Sequence, residues 1–250
     1  MKNSIFPTRG LPPLFGLAVF IAFWQLISGF YSHVIIPSPA EVAHTLWTLA
    51  VSGVFWDQSR HSILRGLLGF CLAVAVGTPL GLLIGLNSLA ASLFRPLVVV
   101  LQVTPLISWL LLAMIWIGFS RVPVFVVFVT TVPLIVINTF QGVKSIDRQL
   151  LQMAQIYRIS KPRVIREIYL PQVAPYLLAG VSNALGVTWK AVAMAEFLSV
   201  QQGIGASMAV ARINLETASL FSWTLFLIGL GLITDRLLVF FTNRKLKHWM

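Results

Sequence analysis

The run Trp189-Lys190-Ala191-Val192-Ala193-Met194-Ala195-Glu196 places an ammonium and a carboxylate inside a long apolar stretch. If that stretch crosses a bilayer, a charge near the centre costs roughly 2.5–3.5 kcal/mol on insertion scales, so both groups must face protein or water. Six residues correspond to about 600° of helical rotation, so the two do not share a face and are poor partners for each other. A lysine on a water-filled route would attract an anion. Lys190 also lies about 22 Å along the helix from Pro175, in the outer half of a bilayer, where it could snorkel to the interface. Both readings stand on the residues alone. Gln102, Thr104 and Asn138 are further polar groups within apolar runs. They are candidates to line a polar pathway, or to make ordinary hydrogen bonds between helices.

Other chemistries lack their residues. There is no Gly-x-x-x-x-Gly-Lys-[Ser/Thr] loop to cradle nucleotide phosphates. No metal-ligand spacing and no nucleophile beside a base stands out. Cys71 is the only cysteine and falls in an apolar run, so neither a disulfide framework nor a cysteine metal site is expected. His33, His44, His61 and His248 all sit at the margins of apolar runs and read as bystanders. The expectation is a chain that is not an enzyme, holds no cofactor or metal, and is driven from outside.

A route for that drive is the one long polar interruption in the second half, 144–171. Two short helices fit it. Ser145 can cap the first, along which Ile146, Leu150, Ala154 and Tyr157 recur at helical spacing. Ser160 can cap the second, with Pro162 in the first turn, where no backbone N–H is needed. Val164, Ile165 and Ile168 give the second helix an apolar side, and Pro171 is expected to limit it. A basic, amphipathic elbow of this kind needs a partner surface, either lipid headgroups or another protein.

These side chains need a scaffold. Of 250 residues, 58% are hydrophobic and 10% charged, with a mean hydropathy of +0.88. An average soluble domain carries about 25% charged residues. Apolar runs at 11–30, 62–86, 96–118, 122–140, 172–200 and 218–241 are long enough to span, giving an all-α polytopic membrane protein with about six transmembrane helices. The first run follows a basic start, as in a signal peptide, but is as long as a span and lacks an Ala-x-Ala site, so it reads as retained. Between the first two spans, 31–61 forms an outer interfacial region. Its Ser38-Pro39-Ala40-Glu41 is a capping box that opens a helix too short to cross. That helix reads as a plain anchor or as part of a platform for an extracytoplasmic protein. Gly77, Gly81 and Gly85, four apart, allow close helix packing, within the chain or between copies.

Six spans put both ends on one side. Thirteen lysines and arginines lie on the side of the termini and the elbow, against Arg60, Arg65, Arg121 and Arg212 on the other. The positive-inside rule then makes both termini and the elbow cytoplasmic. The net charge of +11 is accounted for as a topology signal and requires no nucleic acid. No internal repeat divides the chain, so 1–250 reads as a single transmembrane domain.

The elbow resembles a signature of permease subunits of binding-protein-dependent ABC importers: Glu-Ala-Ala, three residues, Gly, nine residues, Ile-x-Leu-Pro. Ile168-Tyr169-Leu170-Pro171 matches its end, and counting back sets Gln152-Met153-Ala154 at its start, where only Ala154 matches. Arg158 stands where the family has Gly, which implies a different turn or local strain. Gln141-Gly142-Val143, Ala174-Pro175, Gly180, the Trp189 to Ala195-Glu196 run, Gly203-Ile204-Gly205 and Thr234-Asp235-Arg236 are similar to the nitrate, sulfonate and taurine branch, and extend the likeness over most of the chain from Pro37 onward. The resemblance implies a fold like that of type I ABC importer permeases in a bacterial inner membrane. It implies a second permease copy, most simply a homodimer, two cytoplasmic ATP-binding cassette proteins that use the ATP, and an extracytoplasmic solute-binding protein. It assigns ATPase coupling to Gln152, Met153, Ala154, Ile156, Tyr157, Arg158, Ile159, Ile168, Leu170 and Pro171. The solute would be small and anionic or polar: a sulfonate, taurine, nitrate or a vitamin precursor. Two other classes compete. A secondary transporter would want several mid-membrane acids and a repeat, and a non-transporting scaffold would want no aqueous face.

Overall fold

The structure is a computed structural model that describes the backbone of residues 11–246 and the side chains of residues 15–240. Lys2, Arg9 and the Lys247-His248-Trp249 part of the closing basic anchor lie outside the described residues. Every regular element among those described is helical: α1 (Leu11–Ser28), α2 (Pro39–Val51), α3 (Val54–Leu86), α4 (Ser88–Val103), α5 (Leu106–Ile117), α6 (Val122–Lys144), α7 (Arg148–Ile156), α8 (Lys161–Val164), α9 (Leu170–Ser199), α10 (Ile204–Ile213) and α11 (Thr217–Leu246). By length and composition α3, α6, α9 and α11 can each cross a bilayer, α4 with α5 forms an apolar pair that is either a broken span or a re-entrant loop, and α1 is a further apolar helix of 18 residues. This is the expected all-α polytopic bundle.

Two spans differ from the sequence expectation. The third is not one helix over 96–118. It starts at Ser88, where the Asn87 Oδ1 accepts from the amides of Leu89 and Ala90 at 2.9 and 3.3 Å. It then breaks at Thr104–Pro105, with a bend of 100° between α4 and α5. The cause is local: a residue before proline is driven out of the helical region, and Thr104 has ψ 127°. The second span is longer than expected, because α3 begins at Val54 and runs for 33 residues.

The core forms where α6 lies between α3 and α9. The small residues of α3 let the two backbones close up. A Cβ added at Gly77, Gly81 or Gly85 would lie 3.0, 2.6 or 2.6 Å from the Cβ of Ile135, Thr139 or Val143. The row therefore packs within the chain, and it continues upstream through the fully buried Ala73 and through Gly69, whose added Cβ would sit 2.7 Å from Val127. Close approach of this kind replaces the hydrophobic drive that lipid removes.

The capping box of α2 forms as its residues require. The Ser38 Oγ accepts the Glu41 amide at 3.2 Å, and the Ser38 amide donates to Glu41 Oε2 at 2.9 Å. That amide, with His33 Nδ1 at 2.9 Å, holds the Glu41 carboxyl below its ordinary range. α2 also leans on α11: Val42 is fully buried and its carbonyl accepts from Ser222 Oγ at 3.0 Å.

Candidate functional site

Glu196 is enclosed on all sides, with no exposed surface. Its Oε2 accepts from Ser62 Oγ at 2.5 Å and from the Gly205 amide at 3.2 Å, while its Oε1 accepts from Arg65 Nη1 at 2.9 Å. The same Arg65 nitrogen donates to the Gln202 carbonyl at 2.6 Å. Around it, the Gly203 amide donates to Gln58 Oε1 at 2.6 Å and the Ile204 amide to Ser62 Oγ at 2.8 Å. A helix start leaves its first amides without internal partners and carries partial positive charge. Side chains of α3 and α9 supply acceptors for three consecutive amides at the start of α10, and the carboxylate sits where that charge favours it. The two glycines are needed. Gly203 has φ 121°, and a Cβ there would collide with the Glu196 carboxylate. At Gly205 it would collide with the Ala193 carbonyl oxygen.

Lys190 lies elsewhere, as the helical rotation requires. It is exposed, and among the described residues no carboxylate pairs with it. Tyr176, Ala179, Asn183, Gly186 and Lys190 form an exposed stripe along α9. The outward stripes of other helices are different: α4 shows Leu89, Leu93, Leu97 and Val100, and α11 shows Leu225, Ile228, Leu232 and Leu237. Those stripes are wholly apolar. The α9 stripe of small and polar groups is poorly suited to lipid. The flank of α9 beside this stripe is fixed by Trp189, whose Nε1 donates to Thr234 Oγ1 at 3.0 Å, and by Ser182, whose Oγ donates to Asp235 Oδ1 at 2.7 Å.

The remaining polar candidates are not gathered into one site. Asn138 lies half-buried in the seam between α6 and α9, its Nδ2 donating to the Leu134 carbonyl at 2.7 Å, and an added Cβ on Gly180 would meet it at 2.7 Å. Thr104 Oγ1 donates back to the Val100 carbonyl at 2.7 Å at the α4–α5 break. Gln102 is exposed and lines a cavity of about 250 Å³ with Arg95 and Gln141.

The elbow is rooted firmly and ends in an apolar tip. Val143, Ile146 and Val173 form a small core at its base, and the Asp147 amide donates to Gln172 Oε1 at 3.0 Å. Asp147, and not Ser145, caps α7, its Oδ1 accepting the Gln149 amide at 2.8 Å, while Ser145 Oγ closes α6 on the Gly142 carbonyl at 2.9 Å. α7 ends with Arg158 in the left-handed region at φ 52°. The Ile159 amide reaches the Ala154 carbonyl at 2.9 Å and the Arg158 amide reaches the Gln155 carbonyl at 3.1 Å. That is a Schellman ending in the position glycine prefers. Tyr157 does not share the burial of Ile146 and Ala154, which are 8% and 2% exposed. Ile156 and Tyr157 stand 77% and 75% exposed, with Met153 beside them at 45%. Gln152 is also exposed, and Ile159 is half-buried.

Pro171 does not limit the second elbow helix. The chain passes from α8 through a π-turn (Ile165–Tyr169) into α9, so Lys161–Ser199 is one continuous helical run. A proline has no N–H for the carbonyl four residues back and its ring crowds it, and a widened turn accommodates that conflict. Ile168 and Pro171 are half-buried in this passage and Leu170 is 50% exposed. Arg163 Nε bonds both carboxylate oxygens of Glu167 at 3.0 Å, and Arg158 and Lys161 have no such partner among the described residues.

Gln58, Ser62 and Arg65 escape a reading for charges within apolar runs. Their signal is spacing alone, polar residues at i, i+4 and i+7 on one helical face, with Gln58 and Ser62 in the polar stretch 57–62 and Arg65 just inside the apolar run.

Residues 77–247 match the family model described as "Binding-protein-dependent transport system inner membrane component". A Brucella melitensis chain named as an ABC transporter permease protein is 33% identical, over 94% of this chain and 96% of that one. The chain is also 33% identical to an Escherichia coli permease named for aliphatic sulfonates transport (79% and 76% covered). It is 29% identical to the nitrate import permease protein of Synechococcus elongatus (78% and 74% covered). Among solved structures, a chain of the MetNI methionine ABC transporter superposes with a TM-score of 0.64 at 16% identity, over 81% of this chain and 96% of that one, which speaks to the fold. With its helical bundle, its elbow and its match over residues 77–247, this chain belongs to the family of binding-protein-dependent transport system inner membrane components and is an ABC transporter permease.

Proposed function

We propose that two copies of this chain form the membrane route of an importer for a small anion, energised by separate ATPases seated on the elbow. The observation that carries the reading is the exposed tip of Met153, Ile156 and Tyr157 on a firmly rooted elbow, in a chain with no phosphate-cradling loop. Uncovered apolar side chains of this size beyond the spans mark a contact surface. Closure of the ATPase pair on ATP would move the two tips together, and the rigid link from elbow to α9 would carry that motion into the bundle. An extracytoplasmic binding protein would deliver the solute to the end of the bundle that holds the Glu196 cluster. The positive-inside count supports a bacterial inner-membrane orientation with both termini and the elbow on the cytoplasmic side.

The anionic solute is supported by the α9 stripe. Lys190 offers a cation on a face that lipid would not favour, and the relatives named for sulfonate and nitrate transport handle anions. The test is uptake in proteoliposomes that also contain the ATPase and the binding protein. Lys190→Ala should lower uptake of the anion about tenfold while complex assembly and ATPase binding persist. Unaltered uptake would show that the lysine only reaches for the interface, and uptake without any ATPase would refute the importer reading as a whole.

A further inference from the structure

The elbow has a second surface, facing away from its tip. A groove of about 810 Å³ opens between the last turns of α3 and the underside of the elbow. Its walls include Leu82 and Leu86 from α3, Ile159 and Ile165 from the elbow, and its rim carries Arg158 and Lys161. At about 100° per residue, Leu151, Ala154 and Gln155 of α7 fall toward this groove, while Met153 and Ile156 fall on the opposite side. The groove therefore faces away from Met153 and Ile156 of the tip, while Ala154, Arg158 and Ile159 in its lining are also among the residues the resemblance assigns to ATPase coupling.

We propose that this groove holds one anionic phospholipid, an acyl chain along Leu82, Leu86 and Ile165 and the phosphate between Arg158 and Lys161. Charge selects the occupant. Arg158 and Lys161 are exposed and without a carboxylate among the described residues, and the nearby Glu167 already holds Arg163 by two bonds. Position selects it as well. Leu86, which lines the groove and is 59% exposed at the end of α3, borders the exposed Leu83 of the same helix (47%), so the groove opens beside an apolar outward face. A phosphate above an apolar slot meets both halves of the surface. The lipid would also neutralise the arginine held in the left-handed turn, steadying the elbow from below while its tip stays free.

The experiment uses the full chain, delipidated in detergent, and follows its thermal midpoint during titration with phosphatidylglycerol, phosphatidylcholine or inorganic phosphate. Phosphatidylglycerol should raise the midpoint saturably, and the other two should not. With Arg158→Gln and Lys161→Gln together, the apparent affinity should fall about 30-fold, as expected for two surface cations. Arg148→Gln with Arg166→Gln removes equal charge away from the groove and should change it less than about threefold. Equal stabilisation by phosphatidylcholine, equal weakening by the control pair, or protection by phosphate alone would overturn the proposal. So would release of the lipid when the ATPase binds, which would give the groove to that protein. Photo-crosslinking with an acyl-labelled phosphatidylglycerol on the unaltered chain avoids any folding defect in the variants. Labelling should concentrate on segments 82–86 and 151–165, and even labelling over α4 and α11 would refute the site.

Discussion

The two ends of α9 are built on opposite rules. At one, Glu196 has no exposed surface and every oxygen has a partner from α3 or from the start of α10. At the other, the elbow presents Ile156 and Tyr157 at 77% and 75% exposure, and its cations Arg158 and Lys161 lack carboxylate partners among the described residues. The first region is complete within one chain, so it can fix geometry. The second leaves apolar and cationic side chains uncovered, as a surface that receives force from another molecule would. A permease that must be moved by another protein needs both: a rigid bundle and an unsatisfied handle.

That contrast predicts effects of different size and kind. The largest belongs to the enclosed cluster. Removing one partner of a buried ion pair strands the other, at a cost of about 3–5 kcal/mol. Arg65→Ala or Glu196→Ala should therefore lower unfolding stability in detergent by that order, with α10 losing its hydrogen-exchange protection first. If either variant unfolds like the parent chain, the cluster is not what holds α10. Next is the row of small residues on α3. Gly81→Leu must displace the Thr139 Cβ from a 2.6 Å approach, and overpacking of this kind costs about 1–3 kcal/mol. An unchanged melting midpoint would show that α3 and α6 stand further apart. The smallest concerns Arg158 at φ 52°. A left-handed residue other than glycine carries strain of about 1–2 kcal/mol, so Arg158→Gly should stabilise the chain by up to about 1 kcal/mol. Destabilisation would mean that the guanidinium holds the turn by a contact that outweighs the strain.

Much of the bundle is legible in the order of residues, because apolar length and capping are local. The Ser38 to Glu41 box and the close-packing glycines need only spacing to be seen. What stays hidden is set by distance along the chain. Glu196 reads as a candidate for an open route because its partners, Ser62 and Arg65, lie more than 130 residues away. Conversely, Ala195-Glu196 and Gly203-Ile204-Gly205 read as two separate short motifs, and only the fold shows one resting on the other. The break at Thr104–Pro105 is hidden for another reason. Hydropathy runs straight through it, and the proline's effect on the preceding residue counts only once the helix is judged residue by residue. Pro171 misleads in the opposite sense, since a π-turn absorbs the conflict that is expected to end the helix. At Arg158 the departure from glycine leaves two options open, and the backbone adopts the left-handed turn with arginine in place.

The central claim is that work done by a separate ATPase enters this bundle through the elbow tip. It is tested most directly with Ile156→Glu in proteoliposomes containing the permease, the ATPase and the binding protein. Ile156 buries little within the chain, so thermal stability should change by no more than about 0.5 kcal/mol. ATPase association and ATP-driven uptake should each fall at least about tenfold. Uptake at the unaltered rate with a charge at that position would contradict the account.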